Sequence, residues 1–423
     1  MTIGELYEIY KKQGVFTTDS RDCPEGSIFF ALKGGSFDGN KFALASLDKG
    51  CSYAVVDDKE LFSDSTDERI ILVDDVLQTF KDLAREHRRQ FEIPIIGITG
   101  TNGKTTSKEL IAAVLSAKYN VMFTLGNFNN DIGVPKTLFR LSSEHEIAVV
   151  EMGASHPGDI KTLMETVEPT CGLITNVGRA HLQGFGSFEG VKKTKGELYD
   201  NLAQRKKIVF LNTEDADLSQ MASERGLAIM PYVKGSVESC SPFINVVLED
   251  GLKIHTHLIG SYNLANILAA VTIGRYFGVS DEQIVKALYD YQPSNNRSQL
   301  MVTKINHLVV DAYNANPTSM AAAIENFKQM DVNEKKVAIL GEMLELGEVS
   351  HAEHQKIADL LVESGFDTVW LVGNEFANIT TSFPVYKDVE EVKEAIAEAN
   401  LQNCYILIKG SNGTKLFQLP EYL

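Results

Sequence analysis

The stretch Gly97-Ile-Thr-Gly-Thr-Asn-Gly-Lys-Thr-Thr106 constrains this chain more than any other. It follows the apolar run Ile93-Pro-Ile-Ile96 and precedes Ser107-Lys-Glu-Leu-Ile-Ala-Ala-Val-Leu115, so it reads as strand, glycine-rich turn and helix. A phosphate loop requires that order. Glycines let the backbone turn tightly and aim N–H groups at phosphate oxygens, and the following helix adds its positive amino-terminal end. Gly100, Thr101, Asn102, Gly103, Lys104, Thr105 and Thr106 are therefore the expected nucleotide cradle, with Lys104 as a point charge and Thr105 as a Mg²⁺ ligand. The general pattern places a glycine five residues before the second one; here Gly97 stands six before Gly103.

At 423 residues the chain is too long for one typical core, and a prior of about 150 residues per domain predicts about three. Hydrophobic residues at 44% and charged residues at 23% argue for a globular chain and against disorder. A formal net charge of −17 argues against a nucleic-acid-binding surface, so any anionic ligand must be held locally. The five cysteines, at 23, 51, 171, 240 and 404, form no CxxC pair and fit reduced cytosolic thiols. The start, MTIGELYEIYKKQG, lacks the apolar core of a signal peptide, and no run of about 18 apolar residues predicts a membrane span. A cytoplasmic protein without stable membrane insertion is expected.

The pattern predicts an α/β fold in three separately folded units. Residues 1–92 hold short apolar runs (Ser27 to Leu32, Tyr53 to Val56) and a helix-like stretch from Val76 to Gln90, a small α/β domain. In residues 93–297, strand candidates at Ile95 to Thr99, Ile147 to Glu151, Gly172 to Thr175 and Lys207 to Leu211 alternate with helices, which predicts a mostly parallel sheet covered on both faces. Residues 298–423 repeat the alternation, with strands at His307 to Asp311, Lys336 to Leu340, Thr368 to Val372 and Cys404 to Lys409, and are read as a Rossmann-like unit.

Strand ends in open α/β sheets face the ligand crevice. Glu151, ending a hydrophobic strand beside Gly153, is on that ground a candidate Mg²⁺ ligand, and His181 in Thr175-Asn-Val-Gly-Arg-Ala-His-Leu182 lies on the same edge, within reach of a second cation. Asp311, after another β-rich run, can accept a ribose hydroxyl, and Tyr313 can stack on a base. By itself Lys192-Lys-Thr-Lys195 reads as a solvated basic run.

Taken with the loop, Asn129-Asn-Asp-Ile-Gly-Val-Pro135, Glu151-Met-Gly-Ala-Ser155, the 175–182 run, Thr194-Lys-Gly-Glu-Leu198, Asp311-Ala-Tyr-Asn-Ala-Asn-Pro317 and Gly341-Glu-Met-Leu-Glu-Leu-Gly-Glu348 resemble the Mur ligases, in order and over essentially the whole chain. The 129–135, 313–317 and 342–348 runs are similar to the D-alanyl-D-alanine-adding branch. The resemblance implies an enzyme of peptidoglycan synthesis, and so of cell-wall biogenesis, cell shape and division. In it ATP phosphorylates the terminal carboxylate of UDP-MurNAc-tripeptide, and the amine of D-alanyl-D-alanine attacks the acyl phosphate. It implies that Lys104 meets the transferring phosphate, that Thr105 and Glu151 hold the first Mg²⁺, and that His181 helps hold a second. Lys195 would be carbamylated and would support that second ion. Asn263 and Asn266 would lie near the adenine, Arg297 at the hinge to the last domain, and Asp311 at the ribose. Asn129 and Asn130 would face the nucleotide-peptide substrate, and Ser20 and Arg21 would belong to the uridine site. A monomer is the expected state, and the third peptide residue, diaminopimelate or lysine, stays open.

Four positions depart from the family pattern: Val310 and Ala312 flank Asp311 where Asp and Ser are common, Asn412 replaces an Arg, and Asn296 replaces a Gly. Another Mur-type ligase or a folylpolyglutamate synthase shares the loop but not the 129–135 and 313–317 runs. A nucleotide switch that lost ligation would keep ATP binding and make no amide.

Overall fold

A computed structural model describes residues 1–294 and 297–423; Asn296 lies outside the described residues. The first domain is a four-stranded parallel sheet, β1 (Phe16–Thr17), β2 (Ile28–Phe30), β3 (Tyr53–Val56) and β4 (Ile70–Leu72), in that order. Its amino-terminal helix, Ile3–Gln13, is closed by a capping box in which the Thr2 hydroxyl accepts from the Glu5 amide while the Glu5 carboxylate accepts from the Thr2 amide.

The central sheet is parallel throughout. Its strands are β5 (Ile95–Thr99), β6 (Val121–Phe123), β7 (Ile147–Glu151), β8 (Cys171–Ile174), β9 (Ile208–Leu211) and β10 (Ala228–Pro231), in the order β10-β9-β8-β5-β7-β6. β5 is buried at all five residues because helices cover both faces, and for that reason its sequence is continuously apolar rather than alternating. The chain leaves β5 toward β6 on one side and later returns to β8 on the other. The crevice at the carboxyl end of β5 is thus a topological switch point, where open α/β sheets bind ligands.

A three-stranded antiparallel sheet follows, β11 (Gly235–Cys240), β12 (Ile244–Leu248) and β13 (Lys253–His255), which the alternating reading of residues 93–297 did not anticipate. β12 alternates buried and half-buried residues, as one covered face requires. The last domain is a six-stranded sheet of β14 (Gln299–Val302), β15 (Asn306–Asp311), β16 (Lys335–Gly341), β17 (Thr368–Val372), β18 (Val385–Tyr386) and β19 (Cys404–Lys409), ordered β14-β15-β19-β16-β17-β18. Only its edge strand β14 runs antiparallel. The three-domain α/β architecture read from the sequence stands.

The expectation of three separately folded units needs correction at both boundaries: Ile259 of the central domain shares the last domain's apolar core, with Phe243 packed against it, and the first two domains are joined more extensively. One apolar core runs from Leu6, Phe30 and Phe80 of the first domain into Val134, Phe139 and Leu163 of the central one. Phe139 inserts among first-domain rings, with centroids 4.7 Å from Phe16, 4.9 Å from Tyr10 and 5.4 Å from Phe80. The helix Val76–Arg89 carries the polar part of the joint: Arg88 donates to the carbonyls of Phe91, Val167 and Glu168, and His87 Nε2 donates to Leu141 O at 3.0 Å while its Nδ1 accepts from the Tyr7 hydroxyl at 3.0 Å.

Burial holds His87 neutral by pushing its pKa below the ordinary value, against a smaller opposing effect of the Leu141 carbonyl. A depressed histidine pKa means that the unfolded chain takes up a proton that the folded one resists, so stability falls as pH drops below about 6.5. In His87→Phe that part of the acid slope is expected to vanish; melting temperatures of both proteins from pH 7.5 to 5 should converge toward low pH. Parallel curves would show that His87 does not titrate across unfolding.

Candidate active site

The loop after β5 is held open by three neighbours. Gly100 has φ +144°, and a Cβ there would lie 2.0 Å from Thr175 Oγ1; Gly103 has φ +77°, and its Cβ would meet Asn266 Oδ1 at 2.7 Å. Side chains at these two places are excluded by backbone conformation and by space. Asn176, just past β8, accepts from the Thr101 amide through its carbonyl and from the Asn102 amide through its Oδ1, each at 3.0 Å. From the other side, Asn266 Oδ1 accepts from the Ser107 hydroxyl at 2.9 Å, and Asn266 Nδ2 donates to Asn263 Oδ1, whose own Nδ2 donates to Ile259 O.

The helix Lys104–Ser116 starts without a side-chain cap, and among the described residues nothing accepts from the amides of residues 103 to 106. Such orphan donors with the helix dipole behind them form an anion site. Lys104 Nζ curls back onto the carbonyls of Gly100 (2.9 Å) and Thr101 (3.0 Å). Burial pushes its ammonium down to about 8, with Glu151 opposing and Arg297 adding to the shift.

Glu151 ends β7 beside the loop and is buried. Its Oε1 accepts from Thr105 Oγ1 at 3.2 Å and from Asn129 Nδ2 at 2.8 Å, while its Oε2 is buried with no partner among the described residues. An orphaned carboxylate oxygen next to a threonine hydroxyl is a donor set suited to a hard divalent cation, which takes one or two protein oxygens and completes its shell with phosphates and water. Among the described residues no group of three His, Cys, Asp or Glu converges as an all-protein metal site. The residues present fit a nucleotide-bound Mg²⁺.

His181 sits at φ +50° before the short helix Leu182–Phe185, and its Nδ1 donates to a carboxylate oxygen of Glu345 from the last domain. Its pKa is lowered, first by burial and then by the charges of Lys104 and Lys195, with Glu345 opposing. The ring is thereby held as the tautomer whose Nε2 carries a free lone pair, the form that ligates metals. Lys195, on the helix Phe188–Gln204, is the inward member of its basic run: Lys193 is exposed, whereas Lys195 is buried with its Nζ 5.5 Å from the Phe185 ring centroid and without a hydrogen bond among the described residues. Burial and nearby Lys104 push its pKa well below the ordinary value.

The last domain closes over the loop. Asn316 Nδ2 donates to Asn102 Oδ1 at 2.7 Å, and Arg179 reaches Glu353 at 3.5 Å. Asp311 pairs with the buried Lys409 at 2.5 Å, and the Arg297 guanidinium covers the Tyr313 ring at 3.9 Å from its centroid. At the hinge, Ser298 takes φ +48° and exchanges a 2.7 Å hydrogen bond with the Tyr262 hydroxyl.

A cavity of about 910 Å³ joins these groups. Of the residues expected from sequence, the loop from Thr101 to Thr106, Asn129, Asn130, Glu151, His181, Asn263, Asn266, Arg297, Asp311 and Tyr313 line it. Gly100 and Lys195 are not among the residues that line it, nor are Ser20 and Arg21 of the first domain, where Arg21 forks onto Asp19. Asn130 Oδ1 is spent on the Gly133 amide, closing its own turn. Sequence reading missed Asn176, Glu345, Asn316 and Lys409 as contacts. Each lay inside a quoted run, but only the fold shows which partner it meets.

A family model of the Mur ligase middle domain matches residues 98–274, and one of the Mur ligase glutamate ligase domain matches 296–412. The UDP-N-acetylmuramoyl-tripeptide–D-alanyl-D-alanine ligase of Bacillus subtilis is 32% identical, over 96% of this chain and 92% of that protein. This chain belongs to the Mur ligases. Two solved structures share the whole architecture of this Mur ligase: MurF from Acinetobacter baumannii, 29% identical with a TM-score of 0.87 over 98% of this chain and 97% of that one, and MurF from Thermotoga maritima in complex with ADP, 27% identical with a TM-score of 0.86 over 96% of each.

The amide chain through Asn266 gives a test of how the loop is held. Asn266→Ala leaves the Ser107 hydroxyl and Asn263 Oδ1 unpaired in a buried place, which costs about 1–3 kcal/mol. Denaturant unfolding is expected to show that loss, and titration with ADP a weaker affinity. Unchanged ADP binding in a folded variant would mean that the loop keeps its shape without Asn266.

Proposed function

We propose that this Mur ligase uses ATP to join D-alanyl-D-alanine to UDP-MurNAc-tripeptide, giving UDP-MurNAc-pentapeptide for peptidoglycan synthesis. The observation that carries the reading is the unpartnered Glu151 oxygen beside four free amides, in a cavity that all three domains line. A carboxylate is a poor electrophile until one oxygen becomes a phosphate leaving group. ATP supplies that phosphoryl group, the dipeptide amine adds to the acyl carbon, and phosphate departs as the amide forms and the amine loses a proton.

Charge develops on the transferring group, and preorganised donors stabilise it without reorganising. The amides of 103–106 and Lys104 take that part. Thr105 and Glu151 would hold Mg²⁺, which neutralises phosphate charge, and His181, oriented by Glu345, would serve a second ion. Asn263, Asn266, Arg297, Asp311 and Tyr313 form the nucleotide side; Asn129 and Asn130 face the peptide, and Ser20 and Arg21 the uridine. Closure of the last domain through Asn102–Asn316 and His181–Glu345 keeps water from the acyl phosphate.

Lys195 extends the reading. An amine that is buried, unpaired and held toward its neutral form is a nucleophile for CO₂, giving a carbamate and a proton, and the anion so formed would support the second cation near His181. We divide the chain into domains at 92/93 and 297/298. A monomer is the proposed catalytic unit, since one chain supplies every group named. No helix among the described residues is long and apolar enough to cross a membrane, and all five cysteines are free thiols, which supports a cytoplasmic setting.

With ATP, Mg²⁺ and UDP-MurNAc-tripeptide carrying either diaminopimelate or lysine, phosphate release is expected to depend on D-alanyl-D-alanine, with a pentapeptide product by mass. ATP binding with no amide from either tripeptide would sink the ligase reading. Lys195→Ala is expected to lose about 10- to 100-fold in turnover, as removal of a metal-supporting group does. Short carboxylic acids should restore part of it, and ¹³CO₂ should give a carbamate resonance in the wild type alone. Full turnover in Lys195→Ala would remove the carbamate from the mechanism.

A further inference from the structure

Four lysines are buried among the described residues, and they differ in what they meet. Lys108 donates to Thr124 O at 2.9 Å, Lys409 pairs with Asp311, and Lys195 belongs to the site above. Lys81 takes none of the roles described above. It lies on the helix Val76–Arg89 of the first domain, is only 8% exposed, and makes no hydrogen bond or ion pair among the described residues.

Its neighbours on that helix show what an ordinary surface cation does here: Arg85 reaches Asp82 at 2.9 Å, and Arg89 forks onto Glu168. Lys81 instead comes to the wall of the large cavity, as the one first-domain residue among those lining it, on a helix that packs against the helices Gly133–Leu138 and Asp159–Val167; the carboxylates of Asp131 and Asp159 line the same cavity. Neither carboxylate is within ion-pair distance of it, and Asp159 Oδ2 is already spent on the amides of Ser155 and His156. A long cationic side chain normally carries its head out to water. Here the stem is enclosed and the cavity is its outlet.

An ammonium held this way, with no protein counter-charge, is a receptor for an anion. Given the ligase reading, on which this inference rests, the cavity receives two anionic reactants. ATP belongs at the loop, among residues of the central and last domains. The nucleotide-linked peptide must run between the first domain and that loop, the stretch where Lys81 stands. We propose that Lys81 is an anion-recognition residue for the UDP-MurNAc-peptide, taking an anionic oxygen group that does not react. Two groups on that substrate have this chemistry, the diphosphate and the peptide's spare carboxylate.

The test measures binding of UDP-MurNAc-tripeptide by calorimetry without ATP, and KM for each substrate, in wild-type, Lys81→Met and Lys81→Arg enzyme. Methionine keeps the apolar stem, so the variant should fold. Loss of a charge-assisted contact is expected to weaken binding and raise KM for the nucleotide-peptide about 10- to 100-fold in Lys81→Met, with KM for ATP changed by no more than about two-fold and Lys81→Arg retaining most of the affinity. A tripeptide amidated at its spare carboxylate separates the sources. If the methionine penalty disappears on that substrate, the partner is the carboxylate; if it persists, the partner is the diphosphate. Equal affinity in wild-type and Lys81→Met enzyme, or a change in KM for ATP alone, would overturn the proposal while leaving the ligase reading intact. A wild-type enzyme that neither binds nor turns over the nucleotide-peptide would overturn both.

Discussion

Backbone amides with no acceptor inside their own helix must find one outside it, and the proposed chemistry of this enzyme is organised around four of them. The amides of residues 103–106 stay free because Gly103, in the left-handed region, turns the chain into the helix with no side chain to cap it. Everything around that loop serves to keep it in shape before any phosphate arrives. Asn176 holds two of its amides from β8, Asn266 blocks and braces it from the far side, and Glu151 waits at the end of β7. The donors therefore need no rearrangement at the moment charge develops, which is where preorganisation gains over water.

A second consequence is that the site is built from parts that share no sequence neighbourhood. The central domain brings the loop amides, Lys104 and Glu151 to the cavity, and the last domain supplies Asn316, Glu345, Asp311 and Lys409 across a junction at which Ser298 meets Tyr262. The first domain is joined to the central one by a continuous apolar core and by the Arg88 and His87 hydrogen bonds. The second joint also has an apolar part, with Ile259 and Phe243 of the central domain packed into the last domain's core, and adds polar contacts such as Asn102–Asn316 and His181–Glu345.

Much of this was legible in the residues. The strand–loop–helix order around Gly97 to Thr106 and the carboxylate closing an apolar run at Glu151 follow from local propensity and from the rule that strand ends face the crevice. Strands Ile95–Thr99, Ile147–Glu151, Thr368–Val372 and Cys404–Lys409 were bounded correctly because each is buried on both faces and so unbroken in hydrophobicity. The sheet of β11 to β13 was missed because half-covered strands alternate, and short alternating runs between turns resemble loops.

The sequence by itself determined that this chain sets a glycine-rich loop between strand and helix on a parallel α/β sheet, and which glycines, lysine and carboxylate stand there, since those depend on residues adjacent in the chain. Only the tertiary structure decided which of three neighbouring lysines turns inward, that Glu345 orients His181 from another domain, and that Lys81 ends unpaired at the cavity rather than in solvent. These outcomes depend on distances between elements far apart in sequence, and on the burial those distances impose on a charge. A run of letters carries neither.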